Sequence, residues 1–489
     1  MDEQDDVKTP LLPPTLPRWW RVLPSLILII IISTIDGLTL NDFIEYRYTQ
    51  LYNLNSSSTP NTRELCLNST QISPNASELI STTTSKYPVS TTMSWSEIIQ
   101  MSTARLNVYI NLAATIPSIL TSILLGANCD RIGRKPLLAL PFIGKTIRYM
   151  ILTPVAYYDL SNIWIIISIM VDGLFGTAAL NILSSFAYVT DCTDEKTRTV
   201  GIIIADVCIV CCRFIPLLTI GVYLQQPKFI QTMIFTLFLS VCGFIFSIVF
   251  QPESKLEVQH LNIFQQLKKV RFGVVTKIFR VFFVKRPEHK QRSLLMLVST
   301  HLTLICMAIG NMAMYYIYLY GAPFCLDSFG VSLNSVAQTV TSIFFTVIFT
   351  LTIGKRSDHL LIPALGCLAY MTQLVLFGFA RQVWMLYLAA CIGGLFSVLT
   401  PIIRSRITKS VEPDEYAVVF ILASVLESGG YYAISALANE IYRVSLTFCQ
   451  GLVYFVFASV GSIAILLMLI LYIWEYRPTV VKKVSSLNE

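Results

Sequence analysis

Charged side chains are scarce in this sequence. Asp, Glu, Lys and Arg make up 13% of its 489 residues, whereas hydrophobic residues make up 54%. Soluble domains carry about a quarter of their residues as charged side chains. A chain of this length therefore lacks the polar groups needed to cover the surface of a water-soluble protein, and we interpret it as an integral membrane protein.

Histidine is also rare: the chain has four, scattered without metal-ligand spacing. The sequence has no nucleophile elbow and no phosphate-binding loop. The formal net charge is +7, but no segment has the basic face of a nucleic-acid-binding module. These absences argue against an enzyme, a metal or other cofactor, and a nucleic-acid partner.

The sequence is instead rich in apolar runs of about twenty residues, each long enough to cross the hydrocarbon core of a bilayer. Six runs are followed by a polar stretch and then by six more. They lie near 22–40, 105–128, 137–157, 162–189, 199–223 and 229–250, and near 293–319, 331–354, 361–380, 384–404, 416–440 and 446–473. This arrangement predicts an all-α membrane protein with 12 transmembrane helices in two six-helix bundles, typical of carriers built from repeated halves.

The runs divide the chain into five parts. They are a tail over 1–21, a bundle over 22–250, a central loop over 251–292, a bundle over 293–473 and a tail over 474–489. The first run follows acidic and proline-rich sequence without a small-residue cleavage site, so we interpret it as a retained helix. Lys and Arg concentrate in the even-numbered connections and the central loop, which places both tails and that loop in the cytosol.

The long first loop, 41–103, is then predicted to face the cell exterior or an organelle lumen. It contains three N-glycosylation sequons, at Asn55, Asn68 and Asn75. Cys66 lies in the same loop, and Cys325 lies in the seventh, also outward-facing, connection. In an oxidising compartment we predict a Cys66–Cys325 disulfide that ties the bundles together. The alternative is two unpaired loop thiols.

A short motif joins the second and third runs. Its glycines allow close helix approach and a tight turn, and its acid can accept hydrogen bonds from a neighbouring helix N-terminus. Its basic residues can pair with acidic groups across the bundle interface. We name these residues the latch: Gly126, Asp130, Arg131, Gly133, Arg134 and Lys135. A similar spacing, Gly354 to Asp358, follows the eighth run. The alternative is an ordinary positively charged cytosolic loop.

The latch resembles the G-x-x-x-D-x-x-G-R-[RK] signature of the major facilitator superfamily. Within that superfamily, the chain resembles solute carrier family 46, which includes the proton-coupled folate transporter and its lysosomal and thymic stromal relatives. The segments that carry this resemblance are the sequon-rich loop with Cys66, Phe186–Asp191, Arg198–Asp206, Tyr320–Cys325, Pro401–Ser405 and Val425–Gly430. The resemblance implies alternating access and proton coupling.

Ionisable residues occur inside the apolar runs, where each costs roughly 2.5–3.5 kcal/mol on insertion scales and therefore needs a partner, a wet cavity or a role. They are Asp36, Lys145, Arg148, Asp172, Asp206, Arg213, His301, Arg404 and Glu427. The resemblance implicates Asp206 in proton coupling. Its alternative role is a structural salt bridge with Arg213, Arg148 or Lys145. Glu427, beside two glycines, can likewise carry a proton, hold a cationic group or form a buried ion pair.

The predicted substrate-binding residues are three arginines, Arg404, Arg213 and Arg148. Arg404 matches an arginine of the family, and its planar fork suits a carboxylate or phosphate; the alternative is a snorkelling arginine at a helix end. The position that matches the folate carrier's seventh-helix histidine is Ala308, and His301 two turns earlier is interpreted as a polar packing residue. This departure weakens the implication of folate specificity and of the folate carrier's pH mechanism. The tyrosines at 315, 316, 318 and 320 are interpreted as interfacial aromatics.

The sequence therefore predicts a secondary active transporter of a polar, anionic organic solute, coupled to protons. Candidate solutes are folates, cyclic dinucleotides and lysosomal catabolites. We expect a monomer in the plasma or lysosomal membrane, whose partners are the solute and the bilayer. The alternative is a transporter-like receptor or scaffold that binds solute without turnover.

Overall fold

The computed structural model describes residues 17–52, 95–193, 195–259, 261–271, 288–352, 361–399, 402–403, 406–407 and 416–485. Some predicted features lie outside the described residues: Asn55, Asn68, Asn75, Cys66, Arg404 and the 354–358 spacing. For Asp206 and Glu427 the structure describes a helical backbone but not the side chain.

Each of the twelve predicted runs contains helix in the described part of the chain. The first half contains α1 (Leu23–Tyr52), α2 (Trp95–Ala127), α3 (Cys129–Ile132), α4 (Lys135–Tyr158), α5 (Asn162–Leu174), α6 (Thr177–Asp191), α7 (Glu195–Cys211), α8 (Phe214–Tyr223) and α9 (Phe229–Val249). The central segment and second half contain α10 (Ile263–Leu267), α11 (Glu288–Tyr320), α12 (Ser328–Thr352), α13 (Leu361–Phe379), α14 (Val383–Gly393), α15 (Tyr416–Ser445) and α16 (Leu452–Ser485).

Eight helical segments of the described chain are long and apolar enough to cross a membrane. Two shorter apolar stretches accompany them: Val207–Tyr223, which includes the end of α7 and all of α8, and Val383–Val398, which includes α14. The described residues contain helices and turns without strands, so the prediction of an all-α membrane protein is confirmed.

Helix α1 continues well past residue 40, where the sequence predicted the first loop to begin. Polar side chains in this extension contact other helices instead of water. For example, Asn41 Oδ1 accepts a hydrogen bond of 3.3 Å from Asn107 Nδ2 of α2. The helix persists because its polar groups have partners inside the protein.

Two of the predicted runs are broken inside the membrane. The fourth run divides into α5 and α6 at Gly176, whose φ is 88°, a value that favours glycine. The fifth run divides into α7 and α8 at Arg213, the N-cap residue of α8. Non-helical backbone at membrane depth is tolerated where protein or a water-filled cavity satisfies it. Both breaks therefore indicate positions that are covered by protein or open to a water-filled cavity.

The two halves meet at the end where α1 leads into the 41–103 loop, which we name the outer end after the predicted orientation. Three hydrogen bonds join the halves there: Ser328 Oγ donates to Asp42 Oδ2 at 2.7 Å, Gln225 Nε2 donates to Asp327 Oδ2 at 3.0 Å, and Tyr442 Oη donates to Gln100 Oε1 at 2.6 Å. Gly221 of α8 also packs directly on Ser332 of α12. We name these contacts the outer seal.

The tyrosines near the end of α11 are not interfacial aromatics, and that interpretation was wrong. Tyr315, Tyr318 and Tyr320 are buried in the second half. The Tyr315 hydroxyl donates to Asn334 Oδ1 at 2.7 Å, and the Tyr318 hydroxyl donates to the Phe377 carbonyl at 2.7 Å. Because these hydroxyls have partners within the bundle, the rings do not need a place beside water.

Cys325 follows α11 at the outer end and is disulfide-bonded. Ten other cysteines are free thiols, in accordance with their interpretation as packing groups. Cys66 lies outside the described residues, so the Cys66–Cys325 pairing stays a prediction.

Candidate functional site

The latch is built around the buried side chain of Arg134. Arg134 Nε donates to Asp191 Oδ2 at 2.8 Å, and its Nη2 donates to Asp130 Oδ1 at 2.7 Å. Lys255 Nζ lies 3.3 Å from Asp130 Oδ1 and 3.2 Å from Asp191 Oδ1. Two carboxylates therefore share two cations. These partners belong to the first half and to the segment after α9, whereas the sequence predicted partners across the bundle interface for Arg134.

Glu253 is a latch residue that the sequence analysis missed. Its Oε1 accepts the backbone N–H of Arg134 at 2.8 Å, and its Oε2 accepts that of Lys135 at 3.0 Å. Glu253, and not Asp130, therefore supplies the carboxylate at the N-terminus of α4, where the helix dipole favours negative charge. The available signal was the acidic residue of Pro-Glu-Ser directly after the sixth apolar run.

Gly133 makes this arrangement possible. Its φ is 94°, and an added Cβ would lie 2.8 Å from Glu253 Cδ. The glycine thus satisfies both the backbone conformation of the turn and the close approach of the carboxylate. Arg131 is exposed and Gly126 is buried in the last turn of α2.

Replacing Glu253 with alanine is expected to lower the free energy of unfolding by about 1–2 kcal/mol, the upper range for loss of a helix cap. The change leaves the first N–H groups of α4 without their acceptor. Thermal unfolding of the purified protein measures the effect. Glu257→Ala is the matched control because Glu257 is exposed on the same segment. Equal melting temperatures for the two variants would contradict the assignment.

The electrostatics of Asp130 predict how the latch responds to pH. Burial raises the pKa of Asp130, but Arg134 and Lys255 outweigh burial and hold the pKa below its ordinary value. A carboxylate with a lowered pKa contributes stability at pH above its unfolded-state pKa, and this contribution is lost only as pH falls through the folded-state value. The latch therefore stays charged at mildly acidic and neutral pH.

Asp130→Asn is accordingly expected to lower transport by a similar factor at mildly acidic and neutral pH. The ratio of the two rates should remain within about twofold of the wild-type ratio, since a group charged throughout this range adds no pH dependence. Uptake measured at both pH values tests this. A variant that loses the pH dependence of transport would show that the latch itself titrates.

A second charged cluster lies inside the first half, and we name Asp36, Lys145, Arg148 and Asp172 the tetrad. Lys145 Nζ donates to Asp36 Oδ2 at 2.9 Å and to Asp172 Oδ2 at 2.8 Å. Arg148 Nη1 donates to the same two oxygens at 2.6 and 3.2 Å. The Tyr149 hydroxyl donates to Asp36 Oδ1 at 2.6 Å.

The tetrad joins three helices. Lys145 and Arg148 are three residues apart on α4, so they share a face, and this face meets α1 and α5 through their aspartates. Two acids and two bases give the cluster no net charge. Arg148, predicted to bind substrate, thus has two carboxylate partners within the first half, and its side chain is 5% exposed.

Arg213 is in a different environment. Its side chain is exposed, and no hydrogen bond or ion pair joins it to a carboxylate within the described residues. Its charge lies within electrostatic range of Tyr316 of α11 and Tyr431 of α15, both in the second half. The Tyr316 hydroxyl in turn lies 3.8 Å from the position of a Cβ on Gly37 of α1. Arg213 therefore faces the space between the halves.

Tyr431 connects the two groups of charges. It lies within electrostatic range of Arg213 and also of Asp36 and Arg148. The broken end of α7, the tetrad and the tyrosines of α15 therefore border one region, which we name the central site. The predicted residues Arg213 and Arg148 both lie within electrostatic range of Tyr431 there. The side chains of Asp206, Glu427 and Arg404 are outside the described set.

A model of the Major Facilitator Superfamily matches residues 79–435. The chain belongs to the Major Facilitator Superfamily. This membership makes it a membrane transporter and not an enzyme.

Its relatives include a lysosomal proton-coupled steroid conjugate and bile acid symporter of Gallus gallus, 27% identical over 74% of this chain and 78% of the relative. The proton-coupled folate transporter of Bos taurus is 22% identical over 76% and 79%. Both are members of solute carrier family 46, as the sequence resemblance predicted.

Solved structures of other transporters share the fold. The human organic anion transporter MFSD10 superposes with a TM-score of 0.61 at 15% identity, covering 94% of this chain and 100% of that one. The nucleoside transporter NupG gives a TM-score of 0.53 at 13% identity, covering 90% and 99%. At these identities the likeness concerns the fold alone.

Proposed function

We propose that this protein is a proton-coupled symporter of an organic anion that works by alternating access. The observation that carries the proposal is Arg213: an exposed guanidinium at a helix break between the two halves, with no carboxylate bonded to it in the described chain. A cation at membrane depth needs a counter-charge or a wet cavity, and an anionic solute would supply the counter-charge.

The helix break beside Arg213 adds to the attraction between the Arg213 guanidinium and an anionic solute. Arg213 is the N-cap residue of α8, where the helix dipole favours an anion. Discontinuous helices whose half-helix N-termini point at anionic substrate groups are a recurring feature of transporters. The tyrosines at 316 and 431 provide aromatic surface and hydroxyl groups for the remainder of the solute.

The relatives suggest the solute class. Their names combine a proton with steroid conjugates and bile acids, or with folate, and all of these solutes carry acidic groups. We extend this class to the present chain and retain cyclic dinucleotides and lysosomal catabolites as further candidates. Asp206 and Glu427 remain proposed proton carriers, and Arg404 a proposed second anion ligand. The proposed setting is a monomer in the plasma or lysosomal membrane with cytosolic termini.

Uptake into liposomes that contain the purified protein tests the proposal. The labelled probes are a bile acid, a steroid sulfate, folate and a cyclic dinucleotide, each offered with an inward proton gradient and without one. We expect gradient-dependent accumulation of at least one probe, abolished by a protonophore and absent from protein-free liposomes. Saturable binding without flux would favour the receptor or scaffold alternative, and neither binding nor flux would overturn the proposal.

A further inference from the structure

We propose that the tetrad is a proton-binding site of the transport cycle and that Asp172 is the carboxylate that takes the proton. The protonated tetrad carries one net positive charge, and this charge attracts the anionic solute to the central site. The anion part of this inference rests on the proposed function, whereas the proton part stands on the tetrad alone.

The two aspartates are not bonded equally. Both oxygens of Asp36 accept hydrogen bonds, from Lys145 and Arg148 on Oδ2 and from Tyr149 on Oδ1. Within the part of the chain that the structure describes, Asp172 accepts only through Oδ2, and its buried Oδ1 has no hydrogen-bond partner. An unpaired buried oxygen loses its hydration without compensation. Asp172 is therefore the carboxylate with fewer hydrogen bonds, and Oδ1 is the atom at which the proposed proton would bind.

Gly144 of α4 lies beside Oδ1, since a Cβ added there would lie 3.3 Å from that oxygen. Among the described residues, the buried Nε of Arg148 also has no hydrogen-bond partner. Within this part of the chain the tetrad thus contains one unpaired acceptor and one unpaired donor, although its net charge is zero.

The groups that face Asp172 come from three helices. They are Lys145, Arg148 and Tyr149 of α4, Asp36 of α1, and Tyr432 of α15. On its other side, α5 packs through Gly173 on Ala114, Pro117 and Ser118 of α2, which are not titratable. Since Tyr432 belongs to the second half, rocking of the halves changes the surroundings of Asp172.

Charge balance explains why the proton and the anion would move together. The resting tetrad has two negative and two positive groups, and an uncompensated buried charge is strongly unfavourable. Counted for the tetrad alone, a bound proton adds one excess positive charge, and one negative charge of the solute returns the tetrad to neutrality. Arg213 is a separate cation of the central site, so a solute with two acidic groups would neutralise both.

The proton step itself is simple. A proton from the acidic side forms an O–H bond at Asp172 Oδ1. The carboxyl is then neutral, so its ion pairs with Lys145 and Arg148 are weakened. These donors can then turn towards the solute anion. On the opposite side the O–H bond breaks, the proton leaves with the solute, and Asp172 pairs again with both cations.

Infrared difference spectra of the reconstituted protein, recorded without solute at acidic minus neutral pH, test the site directly. We expect a protonated-carboxyl band in the wild type that Asp172→Asn removes. Asp159→Asn is the matched control, since Asp159 is a highly exposed aspartate at the surface, and it should leave the band intact. Persistence of the full band in Asp172→Asn would overturn the proposal.

A second variant separates loss of the proton site from loss of folding. Asp172→Asn leaves one excess buried cation, so the double variant Asp172→Asn/Lys145→Met restores a neutral pair. Replacement of buried ion pairs by apolar groups is often tolerated. The double variant should unfold at the wild-type temperature, lack the band and fail to accumulate solute on a proton gradient. Gradient-driven accumulation in a folded double variant would also refute the site.

The single variant makes the prediction for solute binding. Asparagine imitates the protonated carboxyl, so Asp172→Asn should bind the transported probe at neutral pH about as tightly as the wild type does at acidic pH. The wild-type affinity should change about tenfold per pH unit over the titration, as expected for one linked proton, and that of the variant less than twofold. If no probe binds the wild type, the proposed function fails, while the infrared experiment still decides the proton site.

Discussion

Replacing Arg213 with glutamine should reduce uptake of the transported anion about ten- to a hundredfold, since a hydrogen bond to a charged group contributes roughly 1.5–3 kcal/mol. The loss should appear in binding as well as in flux, because Arg213 is an exposed cation between the halves. Folding should be unaffected, since the described structure gives Arg213 no ion pair to lose. Equilibrium binding, uptake and thermal unfolding of the same preparation separate these effects.

Two comparison variants sharpen this experiment. Arg213→Lys retains the charge but loses the planar fork that matches a carboxylate or phosphate, so its affinity should fall between those of the wild type and the glutamine variant. Arg381→Gln removes an exposed arginine from the turn between α13 and α14 and should leave uptake unchanged. Wild-type affinity in Arg213→Gln would remove this residue from the solute site.

Gly221→Val is expected to open the outer seal and stop transport. An added Cβ at Gly221 would lie 2.6 Å from Ser332 Cβ and 3.2 Å from the Ser328 carbonyl, so α8 and α12 could no longer meet. Overpacking costs about 1–3 kcal/mol. The overpacking destabilises only the conformation in which the outer seal is closed. It therefore shifts the ratio of the open to the closed conformation about 5–150-fold towards the conformation in which the outer end is open.

Labelling by a membrane-impermeant thiol reagent measures the opening. A Ser328→Cys reporter is suitable because Ser328 is buried within the seal. Its labelling above the background of the native cysteines should increase severalfold when Gly221→Val is added. Gly243→Val is the matched control: Gly243 is similarly crowded, by Phe142, but both residues belong to the first half. It should lower stability without exposing the reporter, and unchanged labelling in Gly221→Val would contradict the role of the seal.

The helices were predictable because of the membrane itself. Within a bilayer every backbone group must find its partner inside the protein, so a long apolar run implies a helix. Each of the twelve runs accordingly contains helix in the described residues. The breaks at Gly176 and Arg213 were not predicted, because the apolar composition of a run continues through them. They depend on what packs against the backbone, and composition does not record this.

The latch was found by its motif, but its partners were not. Gly133 was predicted to permit the turn, and its positive φ agrees with that role. Glu253, which bonds to the start of α4, lies 119 residues along the chain from Arg134. A hydrogen bond over such a separation depends on where the segment after α9 lies relative to α4, and no local pattern near Arg134 indicates it.

The sequence by itself determined that this chain is a two-bundle membrane carrier and which ionisable residues its apolar runs contain. Only the tertiary structure distinguished the environments of two of those charges. Arg148 and Arg213 are the same residue type, yet Arg148 has two aspartates as partners and Arg213 is exposed between the halves. The reason is that ion pairing depends on distances between atoms. These distances are set by the rotation and packing of helices far apart in sequence, so the residue types alone do not determine them.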